Sequence, residues 1–196
     1  LRGTPKVFEY ALDCNSKLIY SASSSKLGND GMDENLSPYS WMKSKMVELL
    51  KNYNTWFDLK YEICYFFNVY GPKQITTGNY ATVIGIFLNQ YQNNEILTVV
   101  KPGTQTRDFT HIFDIVDGLI KCSKLNMNHE WYFRTGESIS IIDLANLFGK
   151  WKFIEERKGE RIESAYVENN TEELLNWKAS VNLKKWIKIN KNVRSK

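Results

Sequence analysis

The sequence predicts an α/β protein built on a largely parallel sheet. Three observations carry that expectation. Short apolar runs alternate with helix-like patterns along the whole chain. The stretches that close those runs, "SASSS", "FFNVYGP" and "RTGES", are rich in small and hydrogen-bonding residues, as the carboxyl ends of parallel strands at a ligand site need to be. The 196 residues are 42% hydrophobic and 14% aromatic, enough for a packed core and too apolar for a disordered chain.

"KLIYSAS" (17–23) is a short apolar run ending in small polar residues, the pattern of a buried strand entering a loop. "LSPYSWMKSKMVELLKNYNTWF" (36–57) reads as a long helix, with Ser37 as cap and Pro38 in the first turn. "KYEICYFFNV" (60–69) reads as a second apolar strand, stopped by the turn "YGP". "GNYATVIGIFLNQYQNN" (78–94) is helical and "LTVVK" (97–101) a short strand. "RDFTHIFDIVDGLIKCSKL" (107–125) is an extended piece entering a helix, and "EWYFRTG" (130–136) is strand-like. "SIIDLANLFGK" (140–150) is helical, "WKFIEE" (151–156) extended, and "NTEELLNW" and "NLKKWIKIN" short helices.

Charge and composition exclude several functions. The net charge of +4 is mild and the acids are mixed among the bases; only the tail "KKWIKINKNVRSK" is locally basic, so no nucleic acid is expected as a partner. The apolar stretch "ATVIGIFL" is too short to cross a bilayer, so no membrane partner is expected. No charged-then-apolar leader opens the chain. Cys14, Cys64 and Cys122 are odd in number, widely spaced and without a CxxC pair, which reads as reduced thiols in a cytoplasmic protein, with neither a disulfide framework nor a metal site.

One short motif carries chemistry. "SPYSWMKSK" places Tyr39 four positions before Lys43. With 11 Tyr and 20 Lys in the chain, chance supplies about one such spacing, so the spacing alone means a helix surface contact. The context adds more. A phenol has a reference pKa near ~10, and a cation one helical turn away favours its ionised form. The positive end of the helix acts in the same direction. The Ser-rich strand end before the helix supplies a hydroxyl that can pass a proton between substrate and phenol.

With these residues in place, the chain resembles the extended short-chain dehydrogenase/reductase family, and within it the NAD-dependent nucleotide-sugar epimerases and dehydratases of the UDP-glucose 4-epimerase type. "LIYSASSSKLG", "SPYSWMKSK", "YFFNVYGPKQ", "TVVKPGTQTRDFTHIFDIVDGL" and "ERKGER" with "NNTEELLNWKASVNLKKWI" carry the resemblance in the family's order and span almost the whole chain. It implies the C-terminal portion of a Rossmann-like parallel sheet with a smaller α/β substrate-binding domain. Residues 1–74 would belong to the cofactor domain and 75–196 mainly to the substrate domain, with 107–125 returning to the Rossmann-like part. Ser23, Tyr39 and Lys43 match the catalytic trio. Tyr39, Lys43, Tyr65 and Phe66 match positions beside NAD. Asn68, Arg107, Arg157 and Glu160 match contacts to the nucleotide-sugar substrate, the arginines because a guanidinium fork suits a diphosphate. The triplet "KLG" (26–28) departs from the family's "VYG".

The resemblance also implies what is missing. The family opens with a Gly-rich turn that lets the cofactor pyrophosphate approach the backbone, and no GxGxxG or GxxGxxG occurs here. "LRGTPKVFEYAL" instead resembles the helix before the catalytic Ser strand. The chain, which begins at Leu1, is therefore expected to be part of a longer enzyme, acting as a homodimer or with a complementing N-terminal segment. Family dehydratases carry an acid pair directly after the catalytic hydroxyl, and decarboxylating members tend to carry a Glu nearby. Ser24 and Ser25 follow Ser23 instead, which favours epimerisation through transient oxidation to a keto-sugar. The alternatives are an inactive nucleotide-sugar-binding remnant and a 4,6-dehydratase or keto-sugar reductase. Without their context, Tyr65 and Phe66 read as core aromatics, Arg107 as an ion-pair partner of Asp108, His111 as a satisfied structural histidine, and His129 as a loop residue with no visible partner.

Overall fold

Why the apolar runs become strands and their neighbours helices is visible in the computed structural model, which describes residues 3–27, 37–156, 162–164 and 167–193. In chain order the elements are α1 (Gly3–Asp13), β1 (Leu18–Ser23), α2 (Pro38–Phe57), β2 (Tyr61–Phe66), β3 (Asn68–Tyr70), α3 (Val83–Gln92), β4 (Leu97–Val100) and β5 (Thr106–His111). They continue with α4 (Ile112–Ser123), β6 (Glu130–Phe133), β7 (Ser138–Ser140), α5 (Ile141–Asn146), β8 (Trp151–Ile154), α6 (Thr171–Leu175) and α7 (Leu183–Asn190). The chain divides into two units. One gathers Leu1–Phe67, Ile115–Phe133 and Ala165–Lys178; the other gathers Asn68–Asp114, Arg134–Ser164 and Ala179–Lys196.

The first unit is a three-stranded sheet in the order β1-β2-β6, parallel throughout. β2 is central, and the first five of its six residues are buried, as expected of a parallel strand covered on both faces. Alternation along it decides what faces what. Ile63 and Tyr65 pack with Phe8 and Ala11 of α1, Val47 and Leu50 of α2, and Ala22 of β1. Cys64 instead meets Cys122 of α4, their sulfurs 3.5 Å apart. Gly118 of α4 sits so close to β6 that an added Cβ would lie 2.4 Å from the Phe133 ring, so only glycine fits there. Among the described residues β1 has one strand neighbour, β2, and its other edge carries none.

Glu62 sits in this core, fully buried. Its carboxylate accepts from the Trp131 Nε1–H at 2.7 Å, the Met127 N–H at 2.8 Å and the His129 N–H at 3.4 Å. A buried carboxylate is tolerated when donors surround it, and here it fixes the loop leading into β6.

In the second unit β3 and β5 are parallel, β5 and β7 antiparallel, and β4 and β8 parallel. Its core holds Ile84 and Phe87 of α3, Val99, Phe109, Leu144 of α5, and Phe148. Two elements differ from the sequence expectation. The single strand over 60–69 is two strands, separated at Phe67, because β2 pairs with β1 and β6 while β3 pairs with β5. The three-residue β7 lies just before the expected helix, over residues for which no strand was expected, and ends at Ser140, which caps α5 through its side chain and still pairs with Thr106.

Glu62→Ala removes three hydrogen bonds to one buried charge, and a loss of about 3 kcal/mol in unfolding free energy is expected. Urea unfolding followed by tryptophan fluorescence measures it. Glu62→Gln, which keeps an acceptor, is expected to lose less.

Candidate functional site

In the first unit the candidate residues gather at the end of β1 and the start of α2. β1 runs out of apolar residues at Ser23, which caps the 3₁₀ turn Ser24–Lys26 by accepting from the Ser25 N–H at 3.2 Å. The Ser25 hydroxyl is buried and has no partner among the described residues, which leaves a hydrogen-bond position open beside Ser23. α2 starts where Ser37 caps it, accepting from the Ser40 N–H at 3.1 Å, with Pro38 as its first residue. Tyr39 therefore lies in the first turn, 53% exposed. One turn later, Lys43 extends its ammonium to the Ser21 carbonyl oxygen at 2.9 Å and to within 5.5 Å of the Tyr20 ring centroid. The helix thus carries both members of the pair, and β1 receives one of them two residues before Ser23.

The two aromatics expected beside the cofactor differ from each other. Tyr65 is fully buried, stacked on Tyr132 with centroids 4.8 Å apart, and donates its hydroxyl to Glu130 at 3.0 Å. Burial, reinforced by the Glu130 charge, pushes its phenol up, so it stays protonated. Its side chain belongs to the core. Phe66 is only partly buried, at the last position of β2, level with Ser23 of β1 and Phe133 of β6.

In the second unit, Asn68 and Arg107 line a cavity of about 280 Å³. Asn68 donates its side-chain N–H to the Asp108 carbonyl at 2.9 Å, and Arg107 donates to the Thr106 carbonyl at 2.7 Å. The wall also includes Thr82 and Val83, where α3 begins, and the apolar side chains of Ile86, Phe87 and Phe109. Among the described lining residues there is one cation, Arg107, and no carboxylate. A guanidinium and a helix N-terminus on an apolar wall suit an anion attached to a less polar body. Arg157 and Glu160 lie outside the described residues.

Several residues had no sequence signal. The Asp108 carboxylate meets Thr135 and Gly136, accepting from the Thr135 hydroxyl at 2.7 Å, the Thr135 N–H at 3.0 Å and the Gly136 N–H at 2.8 Å. Asp114 holds Ser180 and Val181 in the same way. His129 has a partner after all, Asn170, at 3.1 Å. His111 is satisfied at one ring nitrogen only. Its Nδ1 accepts from the Phe113 N–H at 3.2 Å, while Nε2 is buried with no partner among the described residues, and the rings of Tyr70, Phe113 and Trp186 surround it. Burial holds its pKa below the ordinary 6.5, and the Asp114 charge opposes part of that shift. Among the described residues, no group of three or more His, Cys, Asp or Glu is placed to hold a metal, and no helix is long and apolar enough to cross a membrane.

Comparison with known proteins gives the same direction. The sequence profile described as the NAD dependent epimerase/dehydratase family matches residues 1–133. A Methanocaldococcus jannaschii protein assigned as a UDP-glucose 4-epimerase is 31% identical over 170 residues, covering 80% of this chain and 54% of that protein. UDP-glucuronic acid decarboxylase 3 of Arabidopsis thaliana is 28% identical, covering 88% of this chain and 52% of that protein. The chain thus spans about half the length of these relatives. The crystal structure of UDP-glucose 4-epimerase from Thermotoga maritima with UDP-glucose superimposes with a TM-score of 0.88 over 96% of this chain and 67% of that one; at 22% identity it speaks for the fold.

The buried neutral His111 predicts a pH dependence. Its folded pKa lies below 6.5, so the unfolded chain takes up the proton first as pH falls. Its contribution to stability is therefore complete above about pH 6.5 and is lost as pH falls through the lower folded value, with a slope of at most ~1.4 kcal/mol per pH unit. Urea midpoints between pH 7.5 and 5.5 are expected to fall, and to fall less in His111→Phe.

Proposed function

The chain belongs to the NAD-dependent epimerase/dehydratase family, and from that premise we propose that it epimerises a nucleotide-activated sugar through transient oxidation to a keto-sugar, within a longer enzyme. One observation carries the proposal: a phenol exposed in the first turn of α2, with the lysine one turn on anchored to the strand that ends in Ser23. Tyr39 takes the proton of a sugar hydroxyl, directly or through Ser23, and returns it when the sugar is reduced again. Lys43 supplies fixed positive charge on the same helical face. NAD, when bound, accepts a hydride from the sugar carbon and gives it back to the other face of the keto-sugar. The residues present fit its nicotinamide end: an ammonium, a phenol, the partly buried Phe66, and the Ser25 hydroxyl, which has no partner among the described residues. The 196 residues contain no GxGxxG or GxxGxxG motif of the kind that would receive its pyrophosphate.

In the second unit, Arg107, Asn68 and the start of α3 hold the substrate diphosphate, and the apolar wall takes the groups attached to it. Arg157 and Glu160 are proposed as further substrate contacts. Ser24 and Ser25 after Ser23 favour epimerisation over elimination, since neither hydroxyl is a general acid or base near neutral pH. The second edge of β1 is proposed to be covered by a parallel strand, from an N-terminal segment or a second copy. Light scattering with an apolar dye tests this: a monomer that binds no dye counts against it.

Calorimetry with UDP-glucose, and product analysis with NAD present, test the main reading. Binding is expected, weakened roughly tenfold to a hundredfold in Arg107→Ala. Tyr39→Phe is expected to keep binding and to lower turnover by about 10²–10⁴. No binding by the wild-type chain would sink the nucleotide-sugar reading. Binding without turnover would favour a protein that holds the nucleotide sugar without redox chemistry.

A further inference from the structure

Lys43 ends on two groups that β1 supplies from adjacent residues. Its ammonium donates to the Ser21 carbonyl at 2.9 Å and lies 5.5 Å from the centroid of the Tyr20 ring. Among the described residues no carboxylate pairs with it. We propose that Tyr20 is a positioning residue for the Tyr39–Lys43 pair, its ring the seat that holds the Lys43 ammonium in place. The proposal rests on the catalytic reading of that pair given above.

The ring is itself held. Phe8 of α1, fully buried, meets it edge-on at 6.2 Å and 75°. Tyr20 thus lies between α1 and the lysine of α2, on the face of β1 where Ala22 packs into the core with Val47 and Leu50. A lysine side chain has four flexible carbons, and a single carbonyl leaves its ammonium free to swing. A ring face within about 6 Å adds a second point of attraction, through the ring quadrupole. That attraction needs a neutral ring. Burial, and next the neighbouring Tyr39, push the Tyr20 phenol up, so it stays protonated and does not become a rival anion for the cation. The contact belongs to the ring face, so phenylalanine should replace tyrosine here and an aliphatic residue should not.

The test uses the chain with lysine ε-carbons labelled, the Lys43 signal identified by its loss in Lys43→Met. Wild type and Tyr20→Phe are expected to show the Lys43 ε-protons shifted upfield by the ring. Tyr20→Leu, with folding checked by its amide spectrum, is expected to lose that shift; Tyr20→Met replaces it if the leucine variant does not fold. Turnover is expected to fall roughly two- to fivefold in the aliphatic variant, with its pH–rate profile displaced, and to be preserved in Tyr20→Phe. An unshifted Lys43 signal in wild type, or an unchanged one in the aliphatic variant, would overturn the proposal even if the chain turns over. A shifted signal in a chain that never turns over counts against the epimerase reading and leaves the seat standing.

Discussion

The parallel, in-register pairing of β1, β2 and β6 is the constraint on which the candidate site depends. Ser23 lies opposite Phe66, and Phe66 opposite Phe133, so the three strands end level. Because side chains alternate with a period of two, a slip of one residue would turn Ala22 and Tyr20 away from α1 and α2 and expose the face that now packs. The same register places the Ser21 carbonyl where Lys43 reaches it. Polar side chains can stand at this end because β2, buried along nearly its whole length, holds the sheet from inside.

Buried carboxylates supply the second layer of order, and each acts within its own unit. Glu62 fixes the approach to β6, Asp108 the Thr135–Gly136 turn, and Asp114 the backbone at Ser180 and Val181. In each case one carboxylate takes several donors from a loop distant in sequence. Charge-assisted hydrogen bonds of this kind are stronger than neutral ones, and they hold irregular backbone that no ladder supports. Asp108 also bears on the cavity that Arg107 lines. Alternation along β5 sends Arg107 and Asp108 to opposite faces, so the carboxylate can anchor a turn while the guanidinium lines the cavity.

The parts of this arrangement that rest on local chemistry were legible in the sequence. Ser37 and Pro38 announce the start of α2, and the four-residue spacing puts Tyr39 and Lys43 on one face of it. The strand ends rich in small residues mark where Ser23 and Phe66 stand. What rests on partners far along the chain was not legible. Nothing near Glu62 shows that its donors come from residues 127–131, and nothing near Asp108 names Thr135. Tyr20 reads as one more strand aromatic until α2 brings a lysine over it. The division at Phe67 was hidden for the same reason: an unbroken apolar run says that a segment pairs, not with which strands.

The segments of the two units alternate along the chain, and this sets an order on its synthesis. β1 and β2 can pair soon after both leave the ribosome. β6 follows only after Asn68–Asp114 of the other unit has been made, and Ala165–Lys178 later still. In the interval the second edge of β2 and the face that Cys122 and Gly118 will cover stand open on a nascent chain. The second unit waits even longer, since Ile187 and Trp186 of α7 enter its core from its last segment. The first unit therefore cannot finish folding until most of the second has been made, and a ribosome that stalls before Ala165 holds two incomplete cores rather than one finished domain and one missing one.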